Sequence, residues 1–242
     1  MGNWLKKIGI ASVFAFPLAV VLTRLGVLPF RTSFMLLQVG LVVGVIVFVV
    51  GIIYFLLQRK SNNSGAKAAL VGAVIAIIPV LPLMLQAKKA KSLPFIHNVS
   101  TDIQNAPKFD KVLALRTAQD NPHQYDANQA IGESGTLGAL QRNAYPNVKT
   151  HVSDMSAEDA LARAQSVVDE LGWELVDVNA DNGIIEATDT TLLWGFKDDV
   201  AIRVSSRGGQ TLVDLHSVSR FGGSDIGANA ARIEKFLAVF SK

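Results

Sequence analysis

Three apolar runs, Ile8–Leu28, Ser33–Leu57 and Ala66–Leu85, follow one another near the start of the chain with almost no charge inside them. Each is about 20 residues or slightly longer, and at roughly 1.5 Å of rise per residue such a helix matches the ~30 Å hydrocarbon core of a bilayer. Apolar stretches of that length have no place inside a domain the size of the remaining chain. Residues 1–90 are therefore expected to form a three-helix transmembrane region with the lipid bilayer as its solvent. Residues 91–242 carry most of the charge and are expected to form one soluble domain, about 150 residues being ample for a core.

The links Pro29-Phe30-Arg31-Thr32 and Ser61-Asn62-Asn63-Ser64-Gly65 are short, which makes the three helices antiparallel neighbours. Lys6, Lys7, Arg59, Lys60 and Lys67 then fall on one side, and Arg24, Arg31, Lys88, Lys89 and Lys91 on the other. That count is balanced, and the basic start of the first helix argues for a cytoplasmic amino terminus. The expected location is a bacterial inner (cytoplasmic) membrane, multi-pass, with the soluble domain in the periplasm. A cleaved signal peptide is the rival reading of the first run, but the run exceeds a usual h-region and Leu25–Phe30 offers no A-x-A-like site. Pro17, Pro79 and Pro82 are expected to kink or end helices, and the spacing of Gly40 and Gly44 would permit close helix approach. No Asp, Glu or His lies inside a run, which argues against a proton relay.

The net charge of +3 is modest, and much of it comes from membrane-flanking pairs such as Lys88/Lys89, so nucleic acid is not an expected partner. The chain contains no cysteine, which excludes disulfides, thiolate metal sites and a cysteine nucleophile.

Residues 91–147 show little periodicity and are punctuated by Pro94, Pro107, Pro122 and Pro146; an extended segment is predicted, with a short helical turn near Ser134–Gln141. Beyond Val148 the pattern sharpens. Ser156 is a helix cap before Glu158, Asp159 and an apolar stripe that ends at Gly172. Trp173–Val178 and Ile184–Thr191 read as strands around the turn Ala180-Asp181-Asn182-Gly183, Val200–Ser205 and Thr211–Ser219 as another pair, and Asn229–Phe240 as a closing helix. The order predicts an α+β domain with a four-stranded antiparallel sheet flanked by helices. Alternation places Val200, Ile202, Val204, Val213 and Leu215 on the core face and Arg203, Asp214 and His216 on the other.

Several separated stretches resemble one bacterial family: Pro94-Phe-Ile-His-Asn-Val-Ser-Thr-Asp-Ile, Gly172-Trp, Ile185-Glu-Ala-Thr, Phe196-Lys-Asp-Asp-Val-Ala-Ile-Arg203, and the run from Asp214 through Ser219-Arg220-Phe-Gly-Gly-Ser-Asp225 to Arg232-Ile. They are similar, in order, to domain-of-unknown-function family 1499, from Leu93 to the carboxy terminus. The resemblance implies kinship and supplies no chemistry. It leads one to expect arginine where this chain has His216, which weakens any catalytic role for that histidine.

The densest polar cluster gives the candidate ligand- or partner-binding residues: Asp198, Asp199, Arg203, His216, Arg220, Gly222, Gly223, Ser224, Asp225 and Asn229. Glycines ahead of a helix amino terminus, with arginines nearby, suit an anion or phosphate. The competing reading is that Ser224 or Asp225 caps the last helix while the arginines pair with Asp198, Asp199 or Asp214. Asp214 and His216 share a strand face, but Ser217 and Ser219 point the other way and no nucleophile elbow is present, so no catalytic residue is named. His97, His123, His151 and His216 lack paired spacing, and neither a metal nor a cofactor is expected. Trp194 and Phe196 suit an apolar groove, the headgroup layer or ordinary packing. The expected function is a non-enzymatic accessory subunit or assembly and docking factor whose soluble domain binds another membrane protein or complex. The alternative is a small-anion binder or hydrolase using the polar face from Arg203 to Asp225.

Overall fold

The computed structural model describes Met1–Ser61 and Ser64–Lys242; Asn62 and Asn63 of the expected second link lie outside the described residues. The chain divides into two compact units, Met1–Lys89 with Leu192–Gly195, and Ala90–Thr191 with Phe196–Lys242.

Three helical stretches, Gly2–Arg24, Phe30–Gln58 and Ser64–Ser92, are long and apolar enough to cross a membrane, and all but the last three residues of the third lie in the first unit. Prolines divide two of them. Helices α1 (Gly2–Val13) and α2 (Ala15–Arg24) meet at Phe14, because Pro17 has no N–H to give to the carbonyl of Val13. Helix α3 (Phe30–Gln58) is unbroken, whereas α4 (Ser64–Ile77) and α5 (Val80–Ser92) separate at Ile78-Pro79. Pro82 is tolerated because it lies in the first turn of α5, where backbone N–H groups have no helical partner.

Glycine sets how closely these helices pack. Gly2 and Gly9 of α1 are buried against Gly65 and Gly72 of α4, and a Cβ at Gly72 would lie 2.6 Å from the Cα of Lys6. The matched seven-residue spacing makes α1 and α4 parallel neighbours in backbone contact. The expected Gly40 and Gly44 pair serves two partners: a Cβ on Gly40 would overlap Ala15, and one on Gly44 would stand 2.9 Å from the Ala76 carbonyl oxygen.

The second unit is built on an antiparallel sheet of β1 (Asn98–Ser100), β2 (His151–Ser153), β3 (Glu174–Asn179), β4 (Ile184–Thr190), β5 (Lys197–Arg207) and β6 (Gln210–Ser219). The order is β1-β6-β5-β4-β3, with β2 also on β6. The expected four strands are therefore joined by two more. β1 pairs with Ser217 and its neighbours, and β2 with Leu212 and its neighbours, so the two divide one edge of β6. Three residues are too few to show alternation, and both strands pair across long stretches of chain. The turn at Ala180–Gly183 forms as predicted; Gly183 has φ +63°, and any side chain there would strike the Val204 carbonyl.

Most of residues 91–147 is irregular, apart from β1, a 3-10 turn at Lys111–Leu115 and helix α6 (Leu137–Ala144), three residues beyond the helical turn expected near Ser134–Gln141. Helices α7 (Ala157–Glu170) and α8 (Ala228–Phe240) cover one sheet face. Ser156 caps α7 by accepting from the backbone N–H of Asp159 at 3.1 Å. The core beneath joins Val167, Val168, Val200, Ile202, Leu215 and Ile233, and Trp173 stacks on Phe236 at 5.7 Å between ring centres.

Candidate functional site

Strand alternation divides the expected polar face in two. Asp198, Ser217 and Ser219 point toward α8, whereas Asp199, Arg203, Asp214, His216 and Arg220 point away from it. The candidate residues therefore do not share one surface.

On the helix side Arg232 is the hub. It donates to Asp198 at 2.5 Å, to Asp189 at 2.8 Å, to Asn229 Oδ1 at 2.6 Å and to Ser217 at 3.1 Å. Burial pushes the carboxyl of Asp198 up, and the Arg232 guanidinium opposes that shift. Fully buried Asn229 donates to the His97 carbonyl and to Ser219, both at 3.0 Å.

On the opposite side residues 101–125 lie across the sheet as a strap. Its apolar contact is small, joining Phe109 and Val112 to Ala201 and Val218. Polar anchors do most of the holding. Arg203 donates to Asp102 at 3.0 Å, the Asn105 carbonyl at 2.8 Å and Asp214 at 2.9 Å. Glu186 accepts three backbone N–H groups, from Asp110, Lys111 and Val112, at 2.9, 3.0 and 2.8 Å. A carboxylate there meets the unpaired N–H groups that open the 3-10 turn. Asp199 lies between two guanidiniums, Arg116 and Arg220, and accepts from Thr188 as well. Arg220 also donates to the Leu115 carbonyl at 2.8 Å. Asn121 closes the strap by donating to the carbonyls of Ser219 and Gly222.

The loop before α8 follows the capping alternative. Asp225 accepts from the N–H groups of Gly227 at 2.8 Å and Asn229 at 3.0 Å, and Ser224 accepts from Ile226 at 3.3 Å. Gly222 holds φ +88°, and Gly223 lies under the ring of Phe95.

One cavity beside the strap, of about 260 Å³, is walled by Phe109, Tyr125 and Pro107 and edged by Gln104, Lys108, His123 and Gln124. His216 is its floor, 2% exposed, 4.7 Å from the ring of Phe109 and 5.9 Å from that of Tyr125. Burial lowers its pKa to about 4, and nearby His123 and Arg116 oppose its protonation. Burial, with Arg116, lowers His123 too. The phenol of Tyr125 is driven up by burial and donates to Gln141 at 2.8 Å. Both ring nitrogens of His216 are engaged, at 2.7 Å by the Pro107 carbonyl and at 2.6 Å by Asn98 Oδ1. Such an imidazole has no free nitrogen with which to activate a nucleophile. Among the described residues no group of three or more His, Asp or Glu is placed to hold a metal.

The sequence reading missed Glu186, Arg116, Arg232 and Gln141. Glu186 and Arg232 lie inside the stretches that carried the family resemblance, which was the available signal. Gln141 had none. Its side-chain amide pairs with the backbone of Ser100 in both directions, at 3.0 and 2.7 Å, in the manner of a neighbouring strand.

These features define a protein with three helical stretches long and apolar enough to cross a membrane and a strap-covered antiparallel α+β domain. The sequence matches, over residues 98–240, the family described as "protein of unknown function (DUF1499)", and the chain belongs to that family. No curated protein matches it.

Proposed function

We propose that the protein is a non-enzymatic, membrane-anchored docking factor. Its helices hold it in a bacterial inner membrane, its α+β domain faces the periplasm, and the domain binds a partner as an accessory subunit or assembly factor of a larger membrane complex. The observation that supports this reading is the internal use of the polar groups. Arg203, Arg220 and Arg232 each face carboxylates of their own chain, while the cavity over His216 offers aromatic walls and amides, with Lys108 and His123 at its edge. A lining of that kind suits a side chain or short segment of a partner protein. The alternative, an anion binder or hydrolase at Arg203–Asp225, would have to break buried ion pairs to free its cations.

The test uses the full-length protein extracted from native membranes in mild detergent. A stoichiometric partner is expected to co-purify, and His123→Ala with Lys108→Glu is expected to release it without lowering the melting temperature. Recovery of the protein alone, or retention of the partner by the double variant, contradicts the reading. A reporter fused after Lys242 is expected to be active only as a periplasmic reporter, and activity only of a cytoplasmic one reverses the assigned sidedness.

A further inference from the structure

We propose that the cavity over His216 receives an acidic side chain, so that the protein docked there presents an Asp or Glu in an exposed segment. On the docking reading above, on which this rests, that residue is the anchor of the partner's segment. Among the described residues no carboxylate lines the cavity, and the charged residue in its wall is Lys108. Lys108 is exposed and has no ion-pair partner among the described residues.

A second source of positive charge is buried nearby. Asp199 is a single carboxylate set between two guanidiniums, Arg116 and Arg220, so the triad carries a net positive charge. Asp120 and Glu174 act on it from the Arg220 side. Burial is the first cause that keeps His123 and His216 neutral. Arg116 also opposes protonation of both rings, and Asp199 offsets part of that at His123. A field that resists a proton favours a carboxylate in the same place.

Burial penalises any bare charge, an incoming carboxylate included, so donors must meet it. His216 offers none, since both of its nitrogens are engaged. The rest of the lining supplies them. Besides the Lys108 ammonium, Gln104 and Gln124 carry side-chain amides, and His123 keeps one N–H when neutral. The His123 ring stands edge-on to Phe109, 6.3 Å between centres, which leaves Phe109 and Tyr125 to cover the methylenes of the guest.

Size and surroundings narrow the guest further. At about 260 Å³ the cavity falls below the roughly 300–1,000 Å³ of small-molecule sites, which suits one side chain of a longer segment. The next hollow along the strap, about 310 Å³, shares Asn105, Ala106, Lys108 and Phe109 with it and is also lined by Asp110, Asp177 and Glu186. Asp177 lies directly across from Glu186 in the β3–β4 register, and Arg203 in the same lining already pairs with Asp102 and Asp214. An acidic residue is repelled there, so the guest's carboxylate is confined to the His216 side.

The probes are three pools of fluorescently labelled nine-residue peptides, with Glu, Gln or Lys at the centre and uncharged residues randomised elsewhere. Each pool is titrated into the full-length protein in mild detergent and followed by anisotropy. The Glu-centred pool is expected to bind at least about fivefold more tightly than the Gln-centred pool, and Lys108→Glu to abolish that difference at an unchanged melting temperature. Lys235→Glu makes the same charge change at an exposed position of α8, on the other side of the sheet, and is expected to preserve it. Absence of binding, equal binding of the pools, a preference for Gln or Lys, or a Glu preference that survives Lys108→Glu overturns the acidic guest. Where the pools bind equally and His123→Ala weakens all three, the docking reading stands and the acidic guest alone falls.

Discussion

Nε2 of His216 stands 2.6 Å from Oδ1 of Asn98, and the amide nitrogen of Asn98 donates to the Gln124 carbonyl at 2.9 Å, which fixes the oxygen toward the ring. On the other side Nδ1 can only donate to the Pro107 carbonyl, 2.7 Å away. A neutral ring has one proton for two acceptors. A second proton would satisfy both, but burial opposes it and holds the pKa near 4. At neutral pH the strap is thus fastened through a hydrogen-bond chain that is one proton short.

Acid destabilisation follows from this. His216 takes up a proton in the unfolded chain at about 6.5 and in the folded protein only near 4. Its contribution to stability is therefore complete above pH 6.5 and is lost as pH falls toward 4, with a slope of up to about 1.4 kcal/mol per pH unit. The unfolding midpoint of the full-length protein in detergent is expected to drop over that window, and His216→Gln to remove this part of the dependence. A pH profile unchanged by His216→Gln contradicts the argument.

Asn98→Asp reverses the sign. A carboxylate facing Nε2 accepts its proton and favours the imidazolium, so the His216 pKa is expected to rise by at least one unit in a proton NMR titration of the ring. Titration at the wild-type value would show that Asn98 does not govern this ring.

Asp199 is fully buried between Arg116 and Arg220, and Asp199→Ala leaves two guanidiniums facing each other without their shared carboxylate. The expected loss is about 3–5 kcal/mol in chemical denaturation. The exposed pair of Lys197 and Glu174, 3.7 Å apart, supplies the contrast: Glu174→Ala is expected to cost under about 1 kcal/mol. Equal effects would mean that the buried triad is not what fastens the strap.

Glu186→Gln keeps the size of the side chain but replaces one acceptor oxygen by a donor, against three backbone N–H groups. A cost of about 1–3 kcal/mol is expected, with hydrogen exchange accelerated in residues 110–115 well before the core strands respond. Unchanged exchange there would exclude Glu186 as the anchor of the 3-10 turn.

In the helical unit, Gly9→Leu or Gly72→Leu forces α1 and α4 apart, since each glycine is in backbone contact with the other helix. Either variant is expected to lower the thermal midpoint of the detergent-solubilised protein by several degrees, whereas Val39→Leu on the exposed side of α3 is expected to leave it within one or two. A Gly9 variant as stable as the parent would place the helices further apart than described.

How far the sequence could be read depended on the range over which its signals act. The capped α7, the turn at Ala180–Gly183 and the proline breaks are local events, and each was legible from a handful of neighbouring residues. β1 and β2 were not, because their only cue is a partner strand far along the chain. The residue types at the polar face were also legible, and so was the alternative that they pair internally. Their division between two sides of a sheet was drawn for Asp214 and His216 against Ser217 and Ser219 but not for Asp198 and Asp199, which are adjacent on one strand and must point opposite ways. Arg116 and Gln141 act alone within irregular or short elements, where no pattern marks them.

The strap is made long before anything exists to hold it. Val112 emerges 74 residues ahead of Glu186, and Pro107 emerges 109 residues ahead of His216. During synthesis this segment must wait, unclaimed, until the central hairpins have been completed behind it. Its closure is then a late event in maturation, and whatever binds the waiting stretch first has the opportunity to escort the newborn chain.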